Sequence, residues 1–252
     1  MRDRGISEEW DRIAEERHQQ IISGKDVSFD KVLVPTLLSM TGVVTGLRVL
    51  DVGCGSGVLC HRLAFLGATT VGVDSSTQMV AIAEREFGKN RRIEFCKKSI
   101  VDFARSYHGK KFDICVSNMA LVTMGNLGKV MSAVASLLKA NGTFVFTVTH
   151  PCFWNQYRKY EPARAFNYVR EHAQTGKFTI SLDRSIRHGT THFHRPLSNY
   201  FNALKNASFQ VIELVEPVPN KRDLRLYPRP WHFPRFLSIK ALYVPGSSKR
   251  FS

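Results

Sequence analysis

The segment Val49-Leu50-Asp51-Val52-Gly53-Cys54-Gly55-Ser56-Gly57 constrains this chain more than any other. Leu47 to Val52 reads as a buried strand, and Val58 to Leu66 reads as a helix ended by Gly67. A strand, a glycine-rich turn and a helix, in that order, put the turn at the carboxyl end of a strand, where open α/β sheets bind their ligands. Glycine lets the backbone approach a ligand closely and adopt positive φ. The spacing narrows the ligand. The dinucleotide fingerprint requires Gly-x-Gly-x-x-Gly. Counted from Gly53 its last position is Val58, and counted from Gly55 it is Cys60, so both registers fail. Gly-x-Gly-x-Gly with Asp51 two residues ahead suits a cationic cofactor that carries no phosphate.

Strand-like and helix-like segments alternate from there. Residues 69–74, 92–97, 112–117 and 143–149 read as strands, with helices starting at Ser75 or Ser76 and at Leu127 between them. Such alternation predicts an α/β fold with a doubly wound, mostly parallel sheet covered by helices on both faces. Two later strands, 209–215 and 236–244, bring the sheet to seven. The N-terminal part carries one helical stripe through Trp10, Ile13, Ala14 and Ile21, and a second through Val32, Leu33, Leu37 and Leu38. After His150-Pro151 the period is lost, and 152–195 reads as an aromatic, basic insertion after the fifth strand. A helix over 196–207 and a Pro/Arg-rich loop over 217–235 complete the chain. We read 1–252 as a single domain: N-terminal helices or lid (1–45), cofactor-binding core (46–150), substrate-side insertion (151–195) and C-terminal helix and strands (196–252).

The second strand ends in Gly72-Val73-Asp74, and an acid at that tip can accept both hydroxyls of a ribose. With this pairing of glycine loop and acid, residues 45–150 resemble the class I S-adenosylmethionine-dependent methyltransferases of the small-molecule type. The resemblance implies a Rossmann-like fold, S-adenosylmethionine as cofactor and S-adenosylhomocysteine as product. It further implies that Asp51, Gly53, Cys54, Gly55 and Gly57 line the methionyl side and that Asp74 binds the ribose, with Ser75 and Met79 near ribose and adenine. Where the family often has an acid at the third strand, this chain has Ser99 followed by Ile100, with Asp102 the nearest acid. Asn118 and Met119, after the fourth strand, would face the methionyl end and the reacting methyl.

The acceptor half is less defined. Methyl transfer is an in-line displacement whose rate comes largely from alignment, with a general base helping where the acceptor loses a proton. His150, at the fifth strand tip, is the first candidate base, and Glu216, after the sixth strand, the second. Phe153, Trp154, Tyr157 and Tyr160 are candidates for an aromatic acceptor wall. The stretch His194-Arg195-Pro196-Leu197-Ser198-Asn199-Tyr200 resembles a segment beside the acceptor pocket of small-molecule methyltransferases, which brings His194 and Tyr200 into the candidate set. Trp10 or Arg17 would cover the site from the N-terminal helix. His192 and His194 share a strand face but lack nearby Cys or acidic ligands at zinc spacing, so no metal is expected.

Charge separates the competing readings. The net charge of +15 is uneven: residues 1–150 hold 19 Lys+Arg and 15 Asp+Glu, and 151–252 hold 17 and 6. The basic C-terminal part leaves an RNA or protein methyltransferase as the alternative to a small-molecule enzyme, and a non-enzymatic cofactor-binding protein as a third reading. The fourth-strand motif Ser117-Asn118-Met119-Ala120 is not the Pro-Pro type of amino-directed nucleic-acid enzymes, so nucleic acid is not favoured. No apolar run is long enough to span a bilayer, and five scattered cysteines read as free thiols, which together suggest a cytoplasmic protein with no membrane partner.

Overall fold

The computed structural model describes residues 3–158 and 165–246. In chain order the elements are α1 (Asp3–Arg12), α2 (Ala14–Ile22), α3 (Val34–Thr41), β1 (Arg48–Val52), α4 (Val58–Phe65), β2 (Thr69–Asp74), α5 (Thr77–Phe87), β3 (Ile93–Lys97), α6 (Ile100–Ser106), β4 (Phe112–Asn118), α7 (Leu127–Leu137), β5 (Leu138–Thr149), α8 (Trp154–Arg158), β6 (His172–Lys177), β7 (Gly189–His194), α9 (Leu197–Asn206), β8 (Phe209–Val215) and β9 (Phe236–Tyr243). The main sheet has seven strands in the order β3-β2-β1-β4-β5-β9-β8. Strands β1 to β5 pair in parallel, and β9 runs antiparallel to both β5 and β8. This is the doubly wound, mostly parallel α/β sheet expected from the alternation.

Strand β1 shows how the sequence sets the layers. Successive side chains point to opposite faces. Leu50 and Val52 pack into the core that contains Phe103, Val130, Met131 and Leu204, whereas Val49 packs with Leu37, Leu59 and Leu63 on the other face. Asp51 shares Val49's face and meets α4 at Cys60, whose thiol donates to Asp51 Oδ2 at 3.4 Å. The chain leaves β1 first towards β2 and β3, then returns to build β4 and β5 on the other side. The carboxyl ends of β1 and β4 therefore diverge at the point where such sheets open a ligand crevice.

Several elements differ from the sequence reading, among them the unforeseen helix α6 and a fifth strand that begins at Leu138 instead of Thr143. The N-terminal stripe is two helices, not one, because the chain breaks at Ile13 (φ −116°, ψ 8°), which is fully buried against Phe178 and Ile186. The stretch before α3 opens with a π-helical turn at Phe29–Leu33, followed by Pro35, which has no N–H to donate to the preceding turn. The insertion holds an antiparallel hairpin, β6 with β7, whose strands lack a clean apolar alternation because the hairpin is half covered by the N-terminal helices.

Candidate functional site

A cavity of about 430 Å³ opens at the carboxyl edge of the sheet. Its wall includes Asp51, Gly53, Cys54, Gly55, Asp74, Ser75, Met79, Ser99, Ile100, Asn118 and Met119. All of these were singled out in the sequence.

The floor is the glycine loop. The N–H groups of Gly53 and Cys54 both donate to Val73 O, at 2.8 and 3.2 Å, which ties the loop to β2. Gly53 sits at φ +75°, and a Cβ there would lie 2.3 Å from Ala120 Cβ. No other residue fits that position without moving the segment after β4. Gly57, at φ +79°, plays a different part from the one expected. A Cβ on it would lie 2.6 Å from Phe95 Cζ and 2.9 Å from Ala83 Cβ, so it serves the packing of α4 against β3 and α5 and is not part of the cavity wall.

Two carboxylates share the floor. Asp74 accepts the N–H of Gly55 and of Ser76, each at 2.9 Å. Burial pushes its pKa above the ordinary carboxylate range, and those two bonds pull against the rise. Asp51 is more deeply buried. Burial, with a lesser push from the charge of Asp74 and an opposing bond from Cys60, raises its pKa to about 7. Its Oδ1 has no hydrogen-bond partner among the described residues. Ser76, not Ser75, caps α5, accepting from Met79 N at 3.1 Å, and this leaves Ser75 on the cavity side. Ser99 caps α6: its hydroxyl accepts from Asp102 N at 3.1 Å and donates to Asp102 Oδ2 at 2.6 Å. Both residues line the wall. Asn118 Oδ1 accepts the Thr147 hydroxyl at 2.6 Å, and the same hydroxyl oxygen takes Met119 N at 3.0 Å. Met119 is held at φ +59°, a conformation non-glycine residues seldom adopt.

The roof comes from the N-terminal helices and the hairpin. Trp10 lines the cavity and meets Phe178 edge-on, ring centroids 5.4 Å apart, and its indole Nε1 has no hydrogen-bond partner among the described residues. Glu9 accepts the N–H of Thr191 at 2.6 Å and its hydroxyl at 2.8 Å. Asp11 accepts the Ser76 hydroxyl at 2.6 Å and Gln78 N at 2.9 Å, at the start of α5. Arg17 pairs with Asp26 at 2.6 Å and lies 5.2 Å over the Phe178 ring. Sequence reasoning missed Asp26, Ser28, Phe29, Phe178, Ile180 and Phe236, all on the cavity wall. No local motif joins them, since they converge only when α1, α2 and the hairpin pack over the sheet.

Several acceptor-side candidates lie elsewhere. His150 is buried but off the cavity wall, and both ring nitrogens are occupied: Nδ1 accepts Cys152 N at 3.2 Å and Nε2 bonds Glu216 Oε1 at 2.6 Å. Neither His150 nor Glu216 is placed to take a proton from a molecule in the cavity. Phe153 stacks on Phe233 and meets the His150 ring at a tilt, away from the wall. Trp154 and His194 pack together with Phe166 and His172 inside the insertion. Tyr200 is buried in the main core beside Phe146. Their large apolar surfaces are spent on holding the insertion and α9 to the sheet. Tyr157, by contrast, is on the cavity wall, and Tyr160 lies outside the described residues. Among the described residues no group of three or more His, Cys, Asp or Glu is placed to hold a metal.

The wall fits the cofactor that the motif implies. A cationic amino acid with a ribose needs acceptors and close backbone approach, not a phosphate cradle. The orphaned, buried Asp51 Oδ1 and the Asp74 carboxylate supply the first, and Gly53 and Gly55 at positive φ supply the second.

The chain's relatives agree. The profile of a methyltransferase-domain family matches residues 44–184. The chain is 33% identical over 104 residues to a ubiquinone biosynthesis O-methyltransferase of Brucella anthropi, a match that covers 41% of this chain and 42% of that enzyme's length. A Haemophilus influenzae protein without an assigned function is 26% identical over 216 residues, covering 79% of this chain and 82% of its own. Among solved structures, an S-adenosylmethionine-dependent methyltransferase from Mesorhizobium loti is 24% identical with a TM-score of 0.59, covering 82% of this chain and 96% of that one. The sheet order, the glycine loop under Asp51 and the family profile across more than half of the chain lead to one conclusion: this protein belongs to the class I S-adenosylmethionine-dependent methyltransferases.

Proposed function

We propose that this protein transfers the methyl group of S-adenosylmethionine to an oxygen or nitrogen of a small, largely apolar acceptor. The observation that carries the reading is the second half of the cavity. Beyond Asn118 and Met119 the wall becomes Phe29, Leu33, Tyr157, Phe178, Ile180 and Phe236, roofed by α1, α2 and the hairpin. A roofed cavity whose acceptor side is lined by aromatic and aliphatic side chains with a few polar groups among them suits a small molecule better than an extended polymer strand. The similarity to a ubiquinone biosynthesis O-methyltransferase, partial as it is, supports oxygen as the receiving atom.

Bound, the cofactor supplies a methyl carried on a sulfonium centre. Asp74 would hold its ribose and Asp51 its positively charged methionyl end, with Gly53 and Gly55 permitting close backbone contact. Asn118 and Met119, fixed through Thr147, would border the transferred methyl. With His150 turned away, the polar groups on the acceptor side include the Arg17–Asp26 pair, Tyr157, Thr179, Ser181, His192 and the Ser28 hydroxyl, which bonds Tyr227 Oη at 3.3 Å. The residues' main contribution is alignment of the two reacting molecules.

The test is direct. The full chain is incubated with S-adenosylmethionine and panels of hydroxylated aromatics and amines, with bulk RNA and a protein mixture in parallel, and S-adenosylhomocysteine is quantified. Turnover with a small acceptor, reduced by at least about tenfold in Asp74→Asn, is the expected outcome. Methylation of RNA or protein alone would overturn the proposal.

A further inference from the structure

The loop between β8 and β9 has two unlike sides. Its inner side is built into the protein. Tyr227 is buried and hydrogen-bonded to Ser28, and Trp231 meets Tyr227 edge-on at 5.2 Å. The Arg235 guanidinium lies 4.3 Å from the Trp231 ring centroid and donates to Arg229 O and Pro230 O, each at 3.2 Å. These contacts rest on Val27, Leu33, Tyr157 and Phe236, the outer backing of the acceptor compartment.

The outer side displays Val218, Leu224 and Leu226, which are 61%, 38% and 45% exposed. Interleaved with them are the exposed Lys221, Arg222, Arg225 and Arg229. Among the described residues none of these four cations has a carboxylate partner, while the segment's two acids are engaged elsewhere. Asp223 is bonded to Asn220 at 2.8 Å, and Glu216 to His150 at 2.6 Å. Single exposed aliphatics are ordinary on a surface. Three of them among four unpaired cations, on a loop anchored from beneath, make an amphipathic patch.

We infer that residues 218–230 seat the protein on an anionic phospholipid surface, with Leu224, Leu226 and Val218 entering the headgroup boundary and the cations meeting lipid phosphates. Basic residues beside exposed aliphatics are the signature of interfacial binding, in which apolar burial and attraction to anionic lipid add. Nucleic acid is the poorer fit. Non-specific single-strand binders offer aromatic faces for base stacking, and the aromatics of this loop are taken up inside the protein: Tyr227 and Trp231 pack with Phe236, and Phe233 stacks on Phe153. The placement is consistent. Because β8 runs parallel to β5, the loop leaves the same sheet edge that carries the cavity, so a surface touching the loop lies beside the acceptor compartment. This inference does not depend on which atom is methylated, and it departs from the sequence expectation of no membrane partner while requiring no spanning helix.

The experiment is vesicle flotation of the full chain with phosphatidylcholine alone or mixed with phosphatidylglycerol, at low and at high salt. The wild type is expected to float with the mixed vesicles and to retain part of its binding at high salt. A Lys221→Glu, Arg222→Glu, Arg225→Glu variant should bind at least about tenfold more weakly, and Leu224→Asp, Leu226→Asp should lose the salt-resistant part. A Lys89→Glu, Arg91→Glu control, at the opposite sheet edge, should float as the wild type does; all replaced residues are exposed, and thermal melts check that each variant is folded. Equal loss in the control would reduce the effect to net charge and overturn the inference. So would unchanged flotation of the loop variants, or a selective loss of RNA affinity with vesicle binding intact.

Discussion

Asp51 shows how much a single residue of the glycine motif says. A carboxyl group held in the protein near pKa 7, against an ordinary value near 4, is stabilising when protonated. Its contribution to stability is fully present below about pH 4 and is lost as pH rises through about 7. A cationic ligand reverses the preference, because it favours the ionised form. S-adenosylmethionine binding should therefore release a proton near pH 6, and its affinity should fall by about tenfold between pH 8 and pH 6. Isothermal titration in buffers of different ionisation enthalpy measures both. Asp51→Asn should bind more weakly with that pH dependence flattened, and a wild-type affinity independent of pH would refute the account. Asp51 and Gly53 were legible because their chemistry is local: an acid at a strand end, and a backbone angle few other residues tolerate. Gly57 belongs to the same motif but acts in packing, which spacing alone does not distinguish from ligand contact.

At the scale of elements, the parallel strands and the helices α4, α5 and α7 of the core were legible from their periods, whereas the short helix α6 and the roof were not. α1 is held by three contacts from consecutive residues. Glu9 reaches the hairpin, Trp10 meets Phe178, and Asp11 accepts from the first turn of α5. Each partner lies at least 65 positions along the chain, so no window of sequence contains the pair. The hairpin was missed for the related reason that its covered face is completed by α1. Asp11 accepts an amide at a helix N-terminus, a bond worth about 1 kcal/mol in comparable caps. Asp11→Ala should raise the KM for S-adenosylmethionine several-fold with a smaller change in kcat, and should increase hydrogen exchange across residues 3–22 by roughly fivefold, read by mass spectrometry. Protection unchanged from wild type would show that the other two contacts suffice. Arg195 performs a similar tie lower down: fully buried, it donates to Leu121 O, Met124 O and Gly125 O and so shapes the segment after β4 that closes the methionyl side. The sequence marked this stretch only by its resemblance to a segment near acceptor pockets.

For the molecule as a whole, the cofactor adds to stability by mass action. At a ligand concentration one hundred times its Kd the gain is about 2.7 kcal/mol, which for a domain of this size moves Tm by roughly 5–10 °C. S-adenosylhomocysteine should produce a shift of that order in a dye-based melt, and the Asp74→Asn variant a clearly smaller one. No shift with either cofactor form would contradict the assignment of the cavity. Among the described residues no helix is long and apolar enough to cross a membrane.

The roof has one more consequence. The cofactor half and the acceptor half of the cavity lie under the same cover, formed by Trp10, Arg17, Phe178 and Ile180. On the proposed function, parting Glu9 from Thr191 and Trp10 from Phe178 would uncover both halves together. Release of spent cofactor and of methylated product would then be coupled through one movement of the roof, and a slow departure of either would hold up the other.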